Sequence, residues 1–320
     1  MATQLTFTDN SFVGIAPDYF ITLAVSGNKT VQDGHIYLQS GINKALYMPR
    51  LRVSGNLMQV GWTAEPTAQG GFDITERVLT PEKIMVYTEY NPDQFRDFWQ
   101  EFAPSPDQLA VDTELLESVR VAMVEELLKD VSTDIAQCIW QGDKGASPAP
   151  SYPNDMFVGL ISRALADAAV VDVSGATALT AGNVIDEMEK LYNDIPDSII
   201  QHPNLKVFVS NKTGKLYQQA LVDISGKGPV PSTSARLGEQ DLYGIPVVPL
   251  AEMQDDVMFC TYASNDRTSN IHLGVISERN HAEVKSDRKN ANSDLFFFKM
   301  KFAADTQIAN GEEVVLYYGA

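Results

Sequence analysis

From residue 115 to residue 139 an apolar side chain stands at every fourth position: Leu115, Val119, Met123, Leu127, Val131, Ile135 and Ile139. The run holds neither Gly nor Pro, so it predicts one continuous helix about 40 Å long at about 1.5 Å per residue. Steps of four drift by about 40° against a 3.6-residue turn, and the stripe therefore winds around the helix. Such a helix is covered by different parts of its own domain along its length, unlike a coiled-coil strand with a fixed seam.

Upstream the period changes. Residues 1–44 are mixed, polar and Gly-spaced, and they read as an extended arm. Residues 45–90 read as strands: "ALYMPRLRVSG" alternates, the following segment is broken by Pro66 and Gly70-Gly71, and "EKIMVYTEY" resumes the β pattern. The middle of this segment has too few apolar residues to bury a face alone, and a two-stranded ribbon is at best marginally stable in isolation. It either disorders or lies on another molecule. Two similar helix starts follow, with Asn91, Pro92 and Gln94 in one and Ser105, Pro106 and Gln108 in the other. Both fit capping-box logic, and Asp93 and Asp107 suit the helix dipole.

Past the long helix, "QGDKGASPAPSYPND" is a loop and a lobe boundary. The next lobe alternates elements: an amphipathic helix capped by Thr180, a buried strand "NLKVFVS", a helix "NKTGKLYQQALVDI", and a flexible Gly/Ser/Pro-rich loop "SGKGPVPSTSARLGEQ". Strands at "YGIPVVPL" and "DDVMFCTYA" lead into a β-rich C-terminal stretch. The fold class is α+β.

Composition narrows the function. With 44% hydrophobic and 21% charged residues the chain is globular, and 42 acidic against 24 basic residues give a net charge of −18. That balance argues against a general nucleic-acid binder, which needs a cationic footprint. Cys138 and Cys260 lie far apart on apolar segments and are expected as buried free thiols. The N-terminus lacks the pattern of a signal peptide, and no stretch is apolar enough to span a membrane.

Candidate chemistry is thin. His35, His202, His272 and His281 have no neighbours at metal-ligand spacing and no C-x-x-C occurs, so no metal or cofactor is expected. "SNKTGKLYQ" glances at a phosphate loop, but Leu216 stands where Ser or Thr is needed and Val209 where the first Gly is needed. A loop-to-helix turn is the better reading. Glu125-Glu126 and Asp255-Asp256 are adjacent rather than on one face, and Trp62, Trp99 and Trp140 suit a core or an interface.

The order of the parts resembles the major capsid proteins of tailed bacteriophages, with their Hong Kong 97 fold. The pieces that carry it are the long helix closing in "IAQCIWQGD", the "VFVSN" strand before a helix, and "LYGIPVVPLAEMQDDVMFCTYASN" before a β-rich tail. The resemblance runs from about residue 45 to the end. It implies an N-terminal arm (1–44), an extended β-hairpin loop (45–82), a peripheral domain with the spine helix (83–142 and 269–307), and an axial domain (143–268 and 308–320). The spine would run from Ser105 to Trp140.

The implied function is self-assembly through pentamers and hexamers into an icosahedral shell around the double-stranded DNA of a tailed phage. The protein would then be a virion component assembled in the host cytoplasm, without enzymatic activity. Its partners would be further copies of itself, with scaffold, portal and cement proteins, and it would enclose DNA without reading sequence. Arg50, Arg52, Trp62, Phe72, Arg77, Asn290 and Asn292 are the expected inter-subunit contacts. Gly226, Gly228, Pro229, Pro231 and Arg236 are expected in an axial loop. Some members of the family join a lysine of the extended loop to an asparagine of a neighbour. Residues 45–82 contain no lysine, with Lys44 and Lys83 only flanking them, so a shell held non-covalently is expected. Residues 1–44 show no charged helical scaffolding pattern, which points to a separate scaffold protein or to processing. The alternatives are an encapsulin-type nanocompartment shell and, from another class, a soluble α+β enzyme.

Overall fold

The computed structural model describes residues 11–12, 24–25, 27–42, 45–55, 58, 70–91, 117–146, 151–175, 178–224, 240–276, 283–290 and 295–319. The N-terminal part contains β1 (Ser11–Phe12), α1 (Lys29–Gln32), β2 (Tyr37–Ser40), β3 (Leu46–Gly55), β4 (Gly70–Leu79) and β5 (Glu82–Tyr90). The middle contains α2 (Glu117–Gln141), α3 (Leu160–Ala166), β6 (Val171–Gly175), α4 (Val184–Asn193), β7 (Leu205–Ser210) and α5 (Asn211–Ile224). Then come β8 (Asp241–Leu242), β9 (Ile245–Leu250), β10 (Val257–Tyr262), β11 (Ile271–Ile276), β12 (Glu283–Arg288) and β13 (Phe296–Ile308). A 3-10 turn (Gly311–Glu313) leads into β14 (Val315–Gly319).

The strands form two six-stranded sheets and one separate ribbon. The first sheet runs β1-β12-β13-β11-β2, with β5 also paired to β13, and the second runs β6-β14-β10-β7-β9-β8. Strand alternation explains how the second sheet is buried on both faces. Val207, Val209, Met258, Cys260, Val315 and Tyr317 point to one side, beneath Val184, Met188 and Leu191 of α4 and Tyr217 and Ala220 of α5. Phe208, Phe259 and Leu316 point to the other side and join the cluster that holds the long helix and the first sheet.

In the long helix the buried side chains include Leu128, Val131, Ile135, Cys138, Ile139 and Trp140. Val131, Ile135 and Ile139 belong to the i,i+4 stripe, and Leu128, Cys138 and Trp140 broaden the buried face as the helix nears its end. Trp140 closes it. Its ring lies 5.1 Å from Phe208 and 5.7 Å from Phe259, between ring centroids. Its indole N–H donates to Thr30 Oγ1 at 3.1 Å, which satisfies the one polar group such a buried ring carries. Phe298, Met300 and Phe302 of β13 complete this core from the first sheet. The helix α3 packs against α2 and β13.

Local expectations meet the structure unevenly. Strand β7 runs straight into α5, where Ser210 Oγ accepts from the Thr213 N–H at 3.1 Å, so the phosphate-loop lookalike is a capped helix start. Thr180 does not cap α4. Asn183 is the N-cap residue, its side-chain oxygen turned back to accept from the Thr180 N–H at 2.7 Å, while the Thr180 carbonyl accepts from Val184. Both cysteines are buried and free, and burial pushes both thiols up to about 12, so they stay protonated and inert. Residues 92–116, with most of both helix-start motifs and the first part of the expected spine, lie outside the described residues. So do residues 225–239, and with them Gly226, Gly228, Pro229, Pro231 and Arg236.

Candidate assembly surface

Strands β3 and β4 pair antiparallel over ten residues, from Leu46 opposite Leu79 to Gly55 opposite Gly70. Among the described residues they form a sheet of two strands only. Residues directly opposite each other share a face. One face therefore carries Tyr47, Leu51 with Ile74, and Val53 with Phe72. These side chains are in solvent: Leu51 is 63% exposed, Phe72 70% and Ile74 73%. Full burial of such a side chain stabilises by about 1.5–3 kcal/mol, so the face is a standing reason to associate. Phe72, expected at a contact between subunits, is part of this face, opposite Val53 and near the end of the pairing at Gly55 and Gly70.

The opposite face carries Leu46 with Leu79, Met48 with Arg77, Arg50 and Arg52. At the root of the ribbon, Leu79 is fully buried in a small cluster with Ile42, Ile276 and Ala303. Gly274 makes this seat possible, because a Cβ there would stand 2.0 Å from Leu79 Cδ2 and 2.7 Å from Ile42 Cδ1. Two hydrogen bonds lock the same place: the Thr80 N–H donates to Asp305 Oδ2 at 3.0 Å, and Gln307 Nε2 donates to the Val78 carbonyl at 2.6 Å. Asp305 is held in turn by Arg163 of α3 at 2.7 Å.

Farther along, each arginine of that face has a partner in its own chain. Arg77 Nη2 meets Asp167 Oδ2 at 2.5 Å. Arg52 Nη1 donates to both carboxylate oxygens of Glu312 at 2.6 and 2.7 Å. Arg50 donates to Asn310 Oδ1 and stands 3.7 Å from Glu313 Oε1. Asn290 is exposed in the connection between β12 and β13. Trp62 and Asn292 lie outside the described residues. The arm touches its own subunit at Ser11 and Phe12, which pair with Lys285 and Val284.

No protein-family model matches the sequence, and no curated protein matches it. Solved structures match over nearly its whole length. The capsid of a native GTA particle aligns with a TM-score of 0.60 at 12% identity, covering 100% of this chain and 96% of that one. A chain of the satellite phage P4 procapsid that includes the size determination (Sid) protein aligns at 0.57 with 15% identity, covering 94% and 98%. The capsid of Myoviridae phage XM1 aligns at 0.57 with 9% identity, covering 100% and 96%. The chain has the Hong Kong 97-type capsid fold.

Among the described residues no group of three or more His, Cys, Asp and Glu side chains is placed to hold a metal. No helix among them is long and apolar enough to cross a membrane. Phe72 and the arginines were expected at contacts from the sequence, whereas Tyr47, Leu51, Val53 and Ile74 were not. Their signal was present: Leu51 and Val53 on one arm and Ile74 and Phe72 on the other alternate in phase across the hairpin, with Glu76 the one charged residue on that face. The acidic rim of Asp167, Glu312 and Glu313 had no such signal, because only folding brings it beside the ribbon.

Proposed function

We propose that copies of this chain assemble, through five- and six-membered rings, into an icosahedral shell around the double-stranded DNA of a tailed phage. The observation that carries the reading is the ribbon. Its apolar face belongs to a chain that has a capsid fold along its full length, and the chain's own described residues leave that face uncovered. A second copy is the partner that supplies the missing burial, and Trp62, Phe72, Asn290 and Asn292 are assigned to contacts between copies.

On this reading residues 83–142 and 269–307 are the peripheral domain, and 143–268 with 308–320 the axial one. The two sheets support the division, since β5 and β11–β13 make up most of the first and β6–β10 with β14 all of the second. Gly226, Gly228, Pro229, Pro231 and Arg236 then line the ring axis. The net charge of −18 suits a wall that surrounds packed phosphate without trapping it. A scaffold protein guides closure, a portal occupies one vertex, and cement proteins or the ribbons alone hold the finished wall without covalent links.

Velocity sedimentation of the purified chain, with electron microscopy of the fast fraction, tests the proposal. Closed shells or rings of five or six subunits are expected, with DNA rather than protein cargo in particles from infected cells. A 35 kDa monomer that stays monomeric with crowding agent and scaffold present contradicts it.

A further inference from the structure

The arginines of the ribbon raise a question that its apolar face does not. An assembly arm that simply reached for a neighbour would leave its charges for that neighbour, yet Arg50, Arg52 and Arg77 all have partners in their own chain. The partners come from two short pieces of chain. Asn310, Glu312 and Glu313 belong to the turn by which the chain leaves β13 of the first sheet and enters β14 of the second. Asp167 follows α3, just before β6, and the Val171 N–H donates to the Val314 carbonyl at 3.0 Å, tying the two pieces together.

Part of this rim is held by hydrogen bonds that do not involve the ribbon. Asn310 and Asn270 exchange hydrogen bonds: the Asn310 N–H donates to Asn270 Oδ1 at 2.7 Å, and Asn270 Nδ2 donates to the Asn310 carbonyl at 2.9 Å. Thr261 Oγ1 donates to the Glu313 carbonyl at 2.9 Å, and the Tyr262 hydroxyl donates to Glu313 Oε2 at 2.6 Å. Gly311 leaves room for the carboxylate beside it, since a Cβ there would stand 2.2 Å from Asp167 Oδ2. The Glu313 carboxylate and the Asn310 backbone are thus held by groups outside the ribbon, while the Glu312 carboxylate and Asn310 Oδ1 are bonded by the ribbon's own arginines.

We propose that Arg50, Arg52 and Arg77 are positioning residues that clasp the ribbon to its own subunit at the crossing between the two sheets, and so set the angle at which its apolar face meets the next copy. The clasp rests on the assembly reading for its purpose but not for its existence. Alternation gives it its logic: Arg50 and Arg52 alternate with Leu51 and Val53, so gripping one face of β3 necessarily turns the other outward. Each pair is partly exposed and weak alone, so the clasp acts through three pairs at separate places and not through one strong one. Because the rim joins the two sheets, a change in their relative tilt swings the ribbon with it.

A charge exchange separates a clasp within one chain from pairing between chains. The most exposed pair is used, so that folding survives: Arg52→Glu, Glu312→Arg, and both together. In the unassembled protein each single variant should speed hydrogen exchange of ribbon amides about three- to tenfold, and the combined variant should restore it. In assembly, each single variant should lower the assembled fraction, the combined variant should recover it, and an equimolar mixture of the two single variants should not. Recovery by the mixture overturns the proposal, because reversed charges on different chains can rescue each other only if the pair forms between chains. Unchanged ribbon exchange in both single variants overturns it too. If the wild-type chain never assembles, the assembly reading fails, and the exchange measurement still judges the clasp.

Discussion

The second sheet and the ribbon are built from the same alternating pattern and end in opposite states. In the sheet both sets of side chains find cover, one under α4 and α5 and the other against Trp140 and the first sheet. In the ribbon one set grips its own body while the other, with Leu51, Phe72 and Ile74, stays in water. Alternation alone therefore does not say which strands are complete. The number of layers available to each strand does: the sheet has helices on both sides, whereas among the described residues the ribbon has a body on one side and nothing of its own on the other.

The largest effect that can sharpen this contrast is Trp140→Ala. It empties the meeting point of Phe208 and Phe259, removes the donor to Thr30, and should cost about 3–5 kcal/mol in denaturant unfolding. Gly274→Val attacks the boundary between the two regions. With Leu79 Cδ2 only 2.0 Å from the new Cβ, overpacking should cost about 1–3 kcal/mol and loosen the root of the ribbon, read as faster proteolysis within residues 56–69.

A third test uses pH within the body. His35 sits against the Phe208 ring, and Lys206 Nζ donates to its Nδ1 at 3.1 Å, so the neutral ring carries its proton on Nε2, towards Asp33. Burial first, then the Lys206 and Lys29 charges, hold its pKa at about 4, with Asp33 pulling the other way. The unfolded chain, with an ordinary pKa of about 6.5, therefore binds the extra proton more readily. Stability should be complete above pH 6.5 and fall as pH drops towards 4, by an amount on the order of 2 kcal/mol. His35→Gln should flatten that slope in urea titrations at pH 7, 6 and 5. The smallest stability effect belongs to Phe72→Ser with Ile74→Ser, within about 0.5 kcal/mol because both side chains are already in water. Their assembled fraction should nonetheless collapse. A pair of substitutions that unfolds the monomer would break the contrast.

Much of the body was legible because its signals are local. The winding stripe from Leu127 to Ile139, the continuous apolar run of β7 and the Ser210 start of α5 all report structure within a few residues. The helix start at Thr180 was misread because the Asn183 side chain, three residues on, turns back to accept from the Thr180 N–H and hydroxyl, so the helix begins at Asn183 without a side-chain cap. The extended ribbon was legible as incomplete, since its middle carried too few apolar residues for two covered faces. What stayed hidden were meetings across the chain. Gly274 beneath Leu79 and Glu312 beside Arg52 lie about 200 and 260 positions apart, and no spacing rule connects them.

The central claim is that a second copy completes the outer face of the ribbon. Hydroxyl-radical footprinting of Tyr47 and Phe72, in monomers and in the sedimenting fraction, tests it directly. Strong protection of both rings on assembly, with Trp140 unreactive throughout, is the result expected. Equal labelling of Tyr47 and Phe72 in both fractions would contradict the account, because the face would then be exposed in a shell held together by something else.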